Sequence, residues 1–115
     1  MANGHRWRCE ALLGKVPQRQ YYPAPFSLMH CVYLLKSVKT GRVYIGQTHD
    51  IKTRFKDHNA GRNKATKSEM PWKLVYVEFY KSKRDALIRE KRLKRYGKSL
   101  AMLKKRISHS LTFEG

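Results

Sequence analysis

The chain has 115 residues, room for one small domain and a tail. Hydrophobic residues make up 41% and charged residues 30%, which excludes a wholly disordered basic tail. No apolar run approaches the roughly 20 residues of a membrane helix, and two cysteines, Cys9 and Cys31, make neither a disulfide framework nor a four-cysteine zinc site.

Lys and Arg number 26 against 8 Asp and Glu, giving a net charge of +18. So strong a field favours nucleic acid or an anionic membrane as partner. The densest block, residues 81–106, holds 12 basic residues against Asp85 and Glu90. Like charges at helical i,i+4 spacing repel, so the excess goes beyond a solvated helix face. The block also lacks the broad Trp/Phe/Leu face of a membrane-surface helix. The expected partner is therefore nucleic acid, with no membrane contact. The expected location is the cytoplasm, or the nucleus in a eukaryote.

Residues 1–29 read as a basic extension, with Pro17, Pro23 and Pro25 close together and no hydrophobic period. Met29 directly precedes the regular pattern and is a candidate start of the domain. Cys31–Val38 is β-branched and aromatic, a strand, and Lys39-Thr40-Gly41-Arg42 turns the chain into a second strand, Val43–Thr48. Asp50 caps a helix through Ile51, Phe55 and His58, closed by Asn59-Ala60-Gly61. A polar, basic loop from Arg62 to Met70 leads to Pro71 and a third strand, Trp72–Tyr80. Ser82 with Asp85 opens a second helix over 83–96, which Gly97 closes; Ser99 caps a third, Leu100–Ile107. Residues 109–115 read as a tail. The order β-β-α-β-α-α predicts an α+β domain over 30–108, a small three-stranded antiparallel sheet flanked by helices.

A few residues resist a purely structural account. Glu90 interrupts an apolar helical stripe of Ala86, Leu87 and Leu93, so its carboxylate needs a basic partner, a metal ion, or each in turn. Arg54 and His58, four apart, project together as a phosphate-matching fork and a proton-moving imidazole, or as a solvated face. Tyr33 and Tyr44 are core packing or acid/base groups, the latter only if cations lower their pKa. Gly46 marks a spot where backbone or ligand approaches closely. Trp72 is a core residue or a stacking platform for a base.

In series, Val32-Tyr33, Tyr44-Ile45-Gly46, Arg54, His58 and Glu90 resemble the GIY-YIG nuclease superfamily over about residues 30–105. Asn59-Ala60-Gly61, the 71–76 segment and Ala86-Leu87…Glu90…Leu93-Lys94 look like its small stand-alone members, related to the nuclease module of the excision-repair incision subunit. The resemblance implies a metal-dependent endonuclease acting on DNA, leaving a 5′ phosphate and a 3′ hydroxyl. It implies that Glu90 is the one protein ligand of a single Mg²⁺ or Mn²⁺ ion, which polarises the scissile phosphate. Arg54 would neutralise charge on the phosphoryl oxygens, Tyr44 or its rival Tyr33 would help deprotonate water, and His58 would bond a tyrosine or shuttle its proton. Departures are the missing leading Gly, Gln47 and Thr48 where some members place a Lys, and no Asn beyond Glu90. Arg62, Lys64, Lys67, Lys91, Lys94 and Arg95, with Gly46, are the expected nucleic-acid contacts, giving affinity without sequence reading. The alternative is a non-catalytic nucleic-acid-binding module on the same fold.

Overall fold

The computed structural model describes residues 29–112, so the expected extension lies outside it up to residue 28. Alternation of inward side chains builds the sheet. β1 (His30–Ser37) is flanked by β2 (Val43–Thr48) and β3 (Trp72–Tyr80), both antiparallel to it, in the order β2-β1-β3. The turn between β1 and β2 rests on Gly41 at φ +79°, a left-handed conformation that costs glycine nothing.

The central strand is buried on both faces, and its two residue sets feed two cores. Val32 and Leu34, with Ile45, meet Ala86, Leu93 and Leu103 of the C-terminal helices. Cys31, Tyr33 and Leu35 meet Trp72, with Ile51 and Phe55 packed against them. The fold thus has a helical layer on one face and, on the other, α1 (Ile51–Asn59). Among the described residues no helix is long and apolar enough to cross a membrane.

Local chemistry sets the helix ends. The Asp50 carboxylate accepts the Thr53 N–H at 3.1 Å and starts α1, and Gly61 at φ +77° ends it. Ser82 accepts from the N–H of Arg84 and starts α2 (Lys83–Arg95). Some expectations need correction. Gly97 does not close α2: Tyr96 leaves the helix at φ −107°, ψ 103°, and Gly97 opens α3 (Gly97–Arg106). The Tyr96 carbonyl accepts the Ser99 N–H at 2.9 Å, so Ser99 lies inside the first turn and caps nothing. Residues 109–112 of the expected tail belong to a short helix, α4 (Ser108–Thr112), held where Lys36 Nζ donates to the Leu111 carbonyl at 2.7 Å; residues 113–115 lie outside the described residues. Finally, Leu87 is 42% exposed, and the buried stripe of α2 is only Ala86 and Leu93.

A carboxylate fastens α2 to the sheet. Glu78 on β3 accepts from the Tyr76 and Tyr80 hydroxyls and from Arg89 Nε at 2.7 Å. Burial pushes its carboxyl up, but the bonds from Tyr76, Tyr80 and Arg89 outweigh this and hold it below the ordinary value of 4.5. A carboxyl whose folded pKa is lowered stabilises above its unfolded pKa and loses that contribution as pH falls through the folded one. Glu78→Gln is expected to cost about 2 kcal/mol at neutral pH and to flatten the loss of stability below about pH 4.5. Urea unfolding of both proteins from pH 7 to pH 3 checks this; parallel acid limbs would refute it.

Candidate active site

The register of β1 and β2 pairs Tyr33 with Gly46 and Leu35 with Tyr44, so both tyrosines point to the α1 face. The Tyr33 ring lies over Gly46, where any Cβ would collide with its hydroxyl. The close approach foreseen at Gly46 is therefore made by a side chain of the protein itself. His58, on the inner side of α1, is fully buried, and its Nε2 lies 2.9 Å from Tyr33 Oη. Tyr44 packs beside them, its ring centroid 6.4 Å from that of Tyr33 and 5.0 Å from that of His58. Arg54, one turn before His58, stays exposed at the mouth.

Glu90 arrives from α2, which packs against the opposite face; the edge position of β2 lets the helix reach Tyr44. Its carboxylate is half-buried rather than buried, and the Lys94 ammonium stands 3.1 Å from it. Lys94 Nζ also lies 5.9 Å from the centroid of the Tyr44 ring. A cation thus attends Tyr44 from α2. Gln47 pairs with Val32 and so occupies the other face, where its Nε2 is buried without a hydrogen-bond partner among the described residues.

Burial dominates the electrostatics of the inner pair. It pushes the Tyr33 hydroxyl well above its ordinary value, with Tyr44 adding to the rise and Arg54 opposing it. The expectation that cations lower the tyrosine pKa fails at this position, because desolvation is the larger effect. His58 moves down, again through burial and then the Arg54 cation, so it is neutral at physiological pH. The inner pair is a neutral hydrogen bond, and charge is confined to the rim of Arg54, Glu90 and Lys94.

The loop after α1 supports the pair. Thr66, fully buried, places Oγ1 2.8 Å from His58 Nδ1, and its carbonyl accepts the Trp72 indole N–H at 2.9 Å. Trp72 is 4% exposed, which removes it as a stacking platform. The Asn59 amide exchanges two hydrogen bonds with the Trp72 backbone, at 2.7 and 2.9 Å. Thr66 and Asn59 were not legible as site-building residues. Among the expected nucleic-acid contacts, Arg62 is ion-paired with Asp57 at 2.9 Å, and Lys64 and Lys67 are exposed on the same loop. Lys91, Lys94 and Arg95 are exposed on α2.

The donor set matches a hard, largely hydrated cation. Among the described residues no three His, Cys, Asp or Glu side chains cluster to cage a metal, so Glu90 offers one carboxylate. Mg²⁺ commonly binds through one or two carboxylates while water and substrate phosphate complete its shell.

Known proteins resemble this chain over most of its described residues. UPF0213 proteins of Staphylococcus aureus strains Mu3 and Mu50 are each 40% identical over 80 residues, which cover 67% of this chain and 96% of the relative. The solution NMR structure of a UPF0213 protein from Bacillus halodurans is 32% identical and covers 73% of this chain and 94% of its own, with a TM-score of 0.44. Residues 29–107 match the model of the GIY-YIG catalytic domain, and the chain belongs to that family of nucleases, whose members act on nucleic acid.

Proposed function

We propose that this protein is a metal-dependent endonuclease that nicks or cuts DNA without reading a defined sequence, leaving a 5′ phosphate and a 3′ hydroxyl. The observation that carries the reading is the grouping of Tyr33, Tyr44, Arg54 and His58 on the α1 face of the β1–β2 pair, with Glu90 of α2 linked to Tyr44 through Lys94 at the β2 edge. Glu90 would hold one Mg²⁺ or Mn²⁺ ion, which would supply polarisation of the scissile phosphate and stabilisation of the leaving oxygen. Arg54 is exposed and uncommitted to a carboxylate salt bridge among the described residues, so its guanidinium is available to phosphoryl oxygens. Tyr44 is the less buried of the two tyrosines and has Lys94 beside its ring, so it takes the base side of the reaction. Tyr33 stays neutral and orients, with its hydroxyl on His58. The basic residues of the 62–67 loop and of α2 flank this site and hold the phosphate backbone.

The Lys94–Glu90 ion pair favours the second reading, a non-catalytic binder, because it accounts for the carboxylate without a metal. Two outcomes separate them. Supercoiled plasmid is expected to be nicked with Mg²⁺ or Mn²⁺ and left whole with EDTA; Glu90→Ala should reduce nicking to background, and Arg54→Ala by about 100- to 1,000-fold. Binding of both variants to DNA without cleavage by the native protein would support the binder. Tyr44→Phe is expected to lower kcat by about 100-fold with KM little changed.

Affinity should behave as phosphate binding. Replacing Lys64 and Lys67 by Ala is expected to weaken binding alike for unrelated duplexes and to lower the slope of log K against log salt by about 0.9 for each phosphate no longer neutralised. Filter-binding titrations across a salt series check this; a weakening confined to one sequence would contradict it.

A further inference from the structure

The hydrogen bonds around His58 leave one arrangement in which every proton is used. Thr66 Oγ1 carries one proton and has two partners, His58 Nδ1 at 2.8 Å and the Asn63 carbonyl, which can only accept, at 3.4 Å. Tyr33 Oη also carries one proton, and among the described residues its hydrogen-bond partner is His58 Nε2. With the His58 proton on Nδ1, Nδ1–H donates to Thr66, Thr66 donates to Asn63, and Tyr33 donates to the bare Nε2. With the proton on Nε2, that nitrogen donates to Tyr33, and the hydroxyl of a ring that is 2% exposed has no acceptor among the described residues and depends on solvent in the site. A nearly buried donor with no protein acceptor is disfavoured against one that is matched inside the fold.

We propose that Thr66 is a positioning residue that holds His58 in the Nδ1–H tautomer and thereby sets the polarity of Tyr33. The tyrosine proton is then committed inward to Nε2, and the remaining lone pairs of Oη make Tyr33 an acceptor toward the site. In the opposite tautomer Tyr33 would receive a proton from His58 and present its own O–H outward as a donor. An acceptor suits a group that orients an attacking water; a donor does not. Thr66 itself is fixed by the Trp72 indole on its carbonyl and by its own N–H to Asn63 at 3.2 Å, so the orienting hydroxyl does not drift. The catalytic consequence rests on the nuclease reading; the tautomer does not.

The test uses the full chain labelled with ¹⁵N on histidine, in which two-bond ¹H–¹⁵N correlations separate a protonated ring nitrogen from a bare one. The native protein at pH 7.5 is expected to show His58 with a bare Nε2 and a protonated Nδ1. Thr66→Ser, which keeps the hydroxyl, is expected to give the same pattern and near-native kcat. Thr66→Val is expected to lose the single pattern and to lower kcat by about tenfold or more. Thr66→Ala serves the same comparison if the valine variant does not fold. A protonated Nε2 in the native protein overturns the inference, and so does an unchanged tautomer in the folded valine or alanine variant. A native protein that cuts no DNA yet shows the expected tautomers refutes the nuclease reading while the Thr66 assignment stands.

Discussion

A single neutral hydrogen bond, Tyr33 to His58, joins the central strand to α1 at the middle of one face, and much of the architecture serves it. Both groups are buried, so neither can hold a charge without solvation. That constraint fixes a neutral imidazole and a protonated phenol. It also dictates neighbours: Gly46, because the Tyr33 ring occupies the space of a side chain, and Thr66, because the second imidazole nitrogen cannot go unpartnered in the interior. Cys31, on the same face, is likewise forced into the neutral form, its thiol pushed up to about 11 by burial.

Charge is excluded from this interior and concentrated at its rim. A carboxylate amid 26 basic residues would simply repel phosphate if it stood alone. Glu90 is kept half-buried and held by Lys94, a cation that also lies against Tyr44. One flexible ammonium therefore serves both the acid and the phenol. The pair is exposed enough that its Coulomb energy is small. Its partner can accordingly be exchanged at little cost.

The strands, the hairpin and the caps at Asp50 and Ser82 were legible because each depends on local chemistry: alternation, a glycine in a turn, a side chain reaching a nearby N–H. The five candidate residues stand out by their order along the chain, and Glu90 by its interruption of a helical stripe. What was not legible depends on contacts between distant segments. Thr66 is a lone threonine in a basic loop with no period to mark it, and only the fold reveals that it meets His58. The sequence leaves Trp72 open to core packing or to stacking, and the sheet decides for the core by bringing its indole N–H to a carbonyl of that same loop. Gly97 reads as a helix terminator, yet Tyr96 makes the break because it adopts an extended backbone that lets a new helix start at once. Leu87 belongs to the apolar spacing of α2 but stays 42% exposed.

The two faces of the sheet divide the work, and Arg89 and Glu90 are where they meet. Adjacent residues on a helix point about 100° apart, so fixing one fixes the other. Arg89 is anchored by Glu78, which Tyr76 and Tyr80 hold in turn from the same strand. This cluster lies on the face opposite Tyr33, where it has no access to the candidate site. Ala86 and Leu93 alone form a narrow buried stripe, a poor determinant of rotation about the helix axis. The Glu78 clamp supplies that determinant, and with Arg89 pinned beneath β3 the neighbouring carboxylate is directed toward the β2 edge and Tyr44. A polar network remote from the site thus does for Glu90 what Thr66 does for His58, holding by geometry a group whose chemistry depends on where it points.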